Sequence, residues 1–444
     1  MPEAQRPNIV VFVSHDTGRH ISPYGISTVR TPNAERLAAE GVLFENAFCT
    51  SPGCCPSRAG LFSGRSPHAV GMCGQAGALS NAFRFAPDAT HAARHFKNQG
   101  YETLLLGLAH EVAGALCPVH YFDGIGFDIL KPSQGVRAGA LDTELPAILD
   151  RRRETDKPFY LQIGTKETHT PYLTDGIAPF DALGVTLPES AVLGDGEGTR
   201  AEFAAIQGAV NRLDEGLGHV LDVLDERGLS ENTLLVFTTD HGLPLPREKT
   251  TLYDRGIGVL LMMRYPGVFT PGQRFDGLVS NIDVLPTLIE AVGGCPPEEI
   301  EGRSLFQTLI GRSDERRHCL FAEKTYHGVY DPVRCVRTER FKYIFHFESV
   351  RPQNVGGGGR DVLRECRQAL ERSPDRFDAL YDLEADPLEI HNLAEDPRWQ
   401  TVRHDLAGEL ARWMEATHDP LLEGPVGSAR FHDKLAWLKQ HTKR

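Results

Sequence analysis

The residues best placed to do chemistry begin with Cys54, Arg58 and Arg65, in Ser51-Pro52-Gly53-Cys54-Cys55-Pro56-Ser57-Arg58-Ala59-Gly60-Leu61-Phe62-Ser63-Gly64-Arg65. A cysteine, a proline two residues on, an arginine four residues on and then a small apolar run read as a loop entering a helix. Proline is tolerated in a first helical turn, where its missing N–H leaves no helix bond unmade. Cys54 then sits at a helix N-terminus, where free N–H groups and the helix dipole favour an anion. Arg58 and Arg65 add fixed positive charge. A second set of reactive side chains follows apolar runs: His15 and Asp16, His110, Lys166 and His169, and Asp240 and His241.

These runs are the elements that must position the chemistry. Residues 8–14 are continuously apolar and β-branched, the pattern of a strand buried on both faces in a parallel sheet. Residues 102–108, 159–165 and 234–239 read the same way, and each run ends in one of the polar groups above. In an open α/β sheet, ligands bind beyond the carboxyl ends of the strands. Patterning alone therefore gathers His15, Asp16, His110, Lys166, His169, Asp240 and His241 near Cys54. A polar residue at one strand end is ordinarily a turn or a cap; four such ends carrying His, Asp or Lys indicate a site.

The rest of the chain reads as support. Residues 34–40 form a short helix, 199–229 a long one with apolar residues at helical spacing, and 259–263 a further strand. Residues 283–292 read as a helix with Asp283 as N-cap. Beyond Leu320 the texture changes: 333–347 suggests an antiparallel hairpin, 379–383 a short strand and 396–417 a closing helix, with a glycine-rich loop at 355–360. We expect an α/β domain over residues 1–325 and a subdomain over 326–444 with a small antiparallel sheet and the closing helix.

With 444 residues the chain exceeds one small core, consistent with a large domain plus a smaller one. No apolar run is long enough to span a membrane. The start lacks the basic-then-apolar pattern of a secretory signal, so a cytoplasmic location is expected, or a periplasmic one if a presequence has been removed. Nine cysteines without framework spacing fit reduced thiols better than a disulfide scaffold. A net charge of −13 argues against nucleic acid as a partner, and an anion site must be locally positive. His20, His68, His95 and His219 lack a partner at ligand spacing and read as surface or packing residues.

The Cys54-x-Pro56-Ser57-Arg58 pattern with its Leu61-x-Ser63-Gly64-Arg65 tail resembles the signature of the type I sulfatases. The resemblance implies an alkaline-phosphatase-like fold: a mixed, largely parallel sheet sandwiched by helices, with a small C-terminal α+β subdomain. It implies that Cys54 is oxidised to formylglycine by a maturation enzyme and that the hydrate of formylglycine is the nucleophile. Cys55 fills the variable position. Asp240-His241 followed by Lys249 resembles the second metal-ligand pair and its downstream cation. Carried over by position, Arg58 orients the nucleophile and contacts sulfate, His169 donates a proton to the leaving group, and His110 assists elimination. The 242–253 loop and the 413–420 stretch resemble the heparan sulfamidase branch, with 331–334 a weaker match, which implies a small sulfated saccharide as substrate.

The chain departs from the family pattern at two places. His15-Asp16 stands where two acidic ligands are usual. The family's metal is usually calcium, which prefers oxygen to nitrogen. Asp16, Asp240, His15 and His241 together suit manganese or zinc; alternatively, His15 stands behind the ligands and calcium or magnesium is held by Asp16, Asp240 and other groups. Leu108 stands where the family has a sulfate-binding lysine, and Lys166 is the candidate to supply that charge. Arg334 and His327 of the subdomain are candidates for the substrate side. Two other readings remain: a phosphonate monoester or phosphodiester hydrolase of the same superfamily, or a non-catalytic binding homologue. The intact Cys54 motif and Asp240 speak against the second. A homo-oligomeric state is left open.

Overall fold

Strand β1 (Asn8–Ser14) is buried along its whole length. Its side chains alternate between two apolar clusters, with Ile9, Val11 and Val13 in one and Val10 and Phe12 in the other. Both faces are covered, which is why the run is continuously apolar. The computed structural model describes residues 6–76, 82–86, 89–112, 125–132, 136–153, 156–172, 182–348, 360–371 and 377–441.

Among these residues the main sheet also contains β2 (Val42–Phe48), β3 (Glu102–Gly107), β4 (Ile129–Pro132), β5 (Phe159–Gly164), β6 (Thr233–Thr239), β7 (Leu261–Arg264) and β8 (Gln273–Ser280). Their order is β4-β3-β5-β1-β6-β7-β2-β8. Every pairing is parallel except the two made by β7. Strands β4 and β8 are the edges, and β8 leaves Arg274 and Asp276 exposed. Their mixed composition, like that of β2 with Glu45 and Asn46, hides them from a search for apolar runs. The long helix Glu197–Glu226 lays Phe203, Ile206, Val210, Leu213 and Leu217 into the cluster on one face.

The second sheet is antiparallel: β9 (Cys319–His327), β10 (Val329–Thr338), β11 (Phe341–His346) and β12 (Asp378–Asp382), in the order β12-β11-β10-β9. The expected hairpin is β10–β11. Strand β9 crosses the boundary expected at 325, so this sheet begins at Cys319. Ala322, Cys335 and Ile344 share an apolar cluster with Phe48, Leu61 and Val279, so the subdomain is packed into the main core. The helix Gln400–Ala416 covers its other side through Leu406, Leu410 and Met414.

One expectation changes, and one helix is added. Asp283 does not cap the helix Val284–Ala291; its carboxylate accepts from the Ser280 N–H, 2.9 Å away, closing a capping box one turn earlier. A helix at Ala429–His441, unannounced by apolar spacing, leaves Phe431, Trp437 and Leu438 exposed. Most of the 355–360 loop lies outside the described residues. No described helix is long and apolar enough to cross a membrane.

Candidate active site

Register places the reactive residues together. Ser14 pairs with Thr239, Val13 with Gly164, and Gly107 with Gly164, so β1, β6, β5 and β3 end level. The chain leaving each strand turns at the same sheet edge. His15 N–H donates to the Glu167 carbonyl, 2.7 Å away. Asp16 takes a left-handed φ of 56°, a conformation rarely adopted outside glycine and short polar residues. It is held there by its N–H donating to Asp240 Oδ1 (2.8 Å) and by its carbonyl accepting from the Thr168 hydroxyl (3.1 Å).

The helix Cys54–Ser63 is wholly buried and begins at Cys54, as expected. Gly64, at φ 68°, closes it with a bond to the Gly60 carbonyl. Gly60 admits no side chain, because a Cβ there would stand 2.5 Å from Thr50 Oγ1. Ser57 Oγ donates to the Asp240 carbonyl (2.5 Å) and Asn281 Nδ2 to the Ser57 carbonyl (3.0 Å), docking the helix on the end of β6. Arg58, fully buried, donates from Nε to Asp240 Oδ2 (3.1 Å) and from Nη2 to the Ser14 carbonyl (2.8 Å). Its third nitrogen, Nη1, is buried without a hydrogen-bond partner. Cys54 Sγ lies 3.3 Å from His241 Nε2. Burial pushes the Cys54 thiol well above its usual range, with Lys249 opposing the shift.

One ligand atom from each of His15, Asp16, Cys54, Asp240 and His241 lies within 4.8 Å of all the others, and all five residues are buried. His15 Nδ1 is 2.8 Å from Asp16 Oδ1 and 3.2 Å from Asp240 Oδ2. His241 Nδ1 donates to the Gly242 carbonyl (2.9 Å), which turns Nε2 toward Asp16 Oδ1 at 3.2 Å. Lys249 Nζ donates to Asp16 Oδ2 at 2.6 Å. Burial works to raise the Asp16 carboxyl, but Lys249 and the two rings hold it well below the ordinary carboxylate range. Burial pulls His15 down to about 4 against the attraction of both aspartates, and lowers His241 as well. The donor set fits a divalent cation: two carboxylates and two rings turned to one gap, the rings neutral as ligation requires.

The remaining candidates surround this cluster. The His169 ring stands 4.5 Å from the His15 ring with Nε2 3.9 Å from Asp16 Oδ2, while its Nδ1 meets the Thr170 carbonyl. The His110 ring is 5.2 Å from His15, its Nδ1 is without a partner, and burial holds it well below the usual histidine range. His327, at the end of β9, places Cδ2 3.5 Å from where a Cβ on Gly53 would stand. Burial, aided by Lys249 and His241, pushes it down to about 3. Lys166 is half-buried on the turn after β5, and its carbonyl accepts from His169 N–H.

Some assignments change. Arg334 does not face a substrate: it is fully buried, with Nε 2.6 Å and Nη2 3.0 Å from the Asp419 carboxylate, and Nη2 3.3 Å from Glu323. His68 joins the same ion cluster, 2.7 Å from Glu323, rather than lacking a partner. Leu108 is a core residue whose N–H donates to the Gly164 carbonyl (2.8 Å). The residues missed altogether are those that hold the Lys249 loop. Lys324 Nζ donates to the Thr250 carbonyl (2.8 Å) and Lys342 Nζ to the Leu252 carbonyl (3.1 Å). The one available signal was a lysine inside the Phe341-Lys342-Tyr343-Ile344 strand, where a charge needs a buried partner.

The fold and this arrangement define a class. The chain belongs to the sulfatase family, whose profile, described as Sulfatase, matches residues 7–294. Residues 242–355 further match the profile described as N-sulphoglucosamine sulphohydrolase, C-terminal. The protein is thus a hydrolase of the sulfatase and sulfamidase class. An ulvan-active sulfatase of Formosa agariphila is 30% identical over 437 residues, covering 96% of this chain and 83% of the relative. Human N-sulphoglucosamine sulphohydrolase is 26% identical, covering 96% and 93%. A structure solved in complex with its substrate D-glucosamine-2-N,6-O-disulfate shares the fold, with a TM-score of 0.72, 18% identity and coverage of 93% of this chain and 98% of that one.

Proposed function

We infer that this protein hydrolyses a sulfate ester or sulfamate on a small sulfated saccharide resembling N-sulfoglucosamine. The observation that carries the reading is Cys54 at the buried helix start, its Sγ 3.3 Å from a ring of the two-aspartate, two-histidine cluster. Asp16, Asp240, His15 and His241 would hold a divalent ion, which would supply polarisation of sulfate oxygens, and Cys54 converted to formylglycine would supply a hydroxyl nucleophile. Conversion of Cys54 requires a maturation enzyme as partner.

The chain's own residues do the rest. The free Nη1 of Arg58 is available to a sulfate oxygen, because Nε and Nη2 are committed to Asp240 and Ser14. Lys249, kept protonated by Asp16 despite its burial, places a second fixed cation there. Charge that spreads over sulfate oxygens in the transition state is stabilised most by such preorganised donors. His169, part-exposed with Nδ1 committed to Thr170, presents Nε2 beside Asp16 and, in the doubly protonated ring, passes the Nε2 proton to the leaving amine or alkoxide. His110, kept neutral by burial, accepts the proton released when sulfate is expelled. His327 and Lys166 face the sugar and the anion from the subdomain side and the β5 side.

The saccharide is supported by the human relative of that name and by the profile over residues 242–355. The test is two measurements on one preparation. The peptide containing Cys54 is weighed, and release of sulfate from N-sulfoglucosamine and glucosamine 6-O-sulfate is compared with hydrolysis of a phosphonate monoester. A mass loss for thiol-to-aldehyde conversion and preferred sulfate release are expected. Active protein with an unmodified thiol, or faster phosphonate hydrolysis, overturns the reading.

A further inference from the structure

The donor types at the metal cluster carry a more specific inference, which rests on the reading of that cluster as a metal centre. Asp240 has little capacity to spare: its Oδ1 accepts the N–H groups of Asp16 (2.8 Å) and His241 (3.0 Å), and its Oδ2 faces Arg58 Nε (3.1 Å) and His15 Nδ1 (3.2 Å). Asp16 Oδ2 is taken by Lys249 Nζ. Asp16 Oδ1 lies between two ring nitrogens, His15 Nδ1 at 2.8 Å and His241 Nε2 at 3.2 Å. The tautomer of His241 is set by the Gly242 carbonyl, which can only accept and so takes the Nδ1 proton. Its Nε2 lone pair is thereby aimed at Asp16 Oδ1 and Cys54 Sγ, the orientation a ring adopts when its other nitrogen is anchored for ligation.

His15 Nδ1 enters the same gap, 2.8 Å from Asp16 Oδ1 and 3.2 Å from Asp240 Oδ2. Calcium takes about six to eight oxygen ligands. Here the carboxylate oxygens are few and mostly engaged, and two of the inward-facing atoms are imidazole nitrogens, which suit first-row transition ions and zinc.

We propose that this centre selects a manganese- or zinc-class divalent ion over calcium, and that His15 and His241 set the selection. The test uses the full chain, stripped with a chelator and dialysed against equal concentrations of calcium, manganese and zinc. Bound metal is then counted by elemental analysis, and thermal midpoints are read with each ion added alone. The expected result is manganese or zinc as the main bound ion, with calcium a minor fraction. His15→Asp combined with His241→Asn is expected to reverse the order. Calcium as the main bound ion in the unmodified sequence overturns the proposal, as does a folded double variant with unchanged preference. Retention of no metal of any kind instead refutes the metal-centre reading beneath it. If the double variant does not fold, the competition on the unmodified sequence decides alone.

Discussion

Lys249 Nζ lies 2.6 Å from Asp16 Oδ2, with both side chains buried. Burial opposes both charges, yet the pair holds the lysine above its ordinary range and the aspartate well below its own. Removing one partner of such a pair leaves an uncompensated buried charge, at a cost of about 3–5 kcal/mol. Lys249→Ala is therefore expected to lower unfolding free energy by that order in chelator-treated protein. It should also reduce kcat/KM on the sulfated sugar by about 10²–10³, the effect of losing one preorganised donor. Unchanged kcat/KM would remove Lys249 from sulfate binding.

Arg58→Lys is the sharper probe of the helix. The guanidinium reaches Asp240 and Ser14 and still has Nη1 free; an ammonium on a single flexible stem lacks that fixed fork. A drop in kcat of about 10² is expected, together with some loss of thermal stability from the unmade bonds to Asp240 and Ser14. Full activity would show that Nη1 has no role at the sulfate.

Lys166 is the candidate to replace the cation absent at Leu108. Lys166→Ala should cut turnover as strongly as Lys249→Ala, without changing thermal stability, since its half-buried turn position carries little packing. Turnover close to that of the unmodified protein eliminates it, and leaves His327 as the next residue to vary.

Arg334 is expected to behave oppositely. Arg334→Ala strands Asp419 and Glu323 in the subdomain interior and should destabilise the chain by about 3–5 kcal/mol with KM unchanged. A raised KM at unaltered stability would return Arg334 to the substrate pocket.

His20 predicts an acid limb. Burial, with Arg255 nearby, pushes it from 6.5 down to about 3, and its ring packs on Phe203 with Nε2 unpartnered. Below pH 6.5 the unfolded chain binds a proton that the native state refuses, so stability falls as pH drops from 6.5 toward 3. The loss from this one group is about 2 kcal/mol at pH 5. Denaturant unfolding at pH 8 and pH 5 should show this difference shrinking in His20→Gln; an identical slope in both proteins contradicts it.

What the sequence determined by itself is whatever depends on neighbours along the chain. The Cys54–Arg58 spacing places both side chains one turn apart on a short helix, and β1, β3, β5 and β6 announce themselves because strands covered on both faces leave no room for polar residues. Strand ends bearing His15, Asp16, Asp240 and His241 were legible for the same reason: each directly follows its apolar run. Only the tertiary structure decided which of them meet, because sheet register, not sequence distance, brings Ser14 level with Thr239. It alone brought His15 Nδ1 against the Asp16 and Asp240 carboxylates and held the Asp16 backbone left-handed through Asp240 and Thr168. It also buried Arg334 with Asp419 and His68 with Glu323, and aimed Lys324 and Lys342 at the loop carrying Lys249. A charged residue looks the same in sequence whether water or a distant partner solvates it, and that choice is made only when the second sheet packs onto the first.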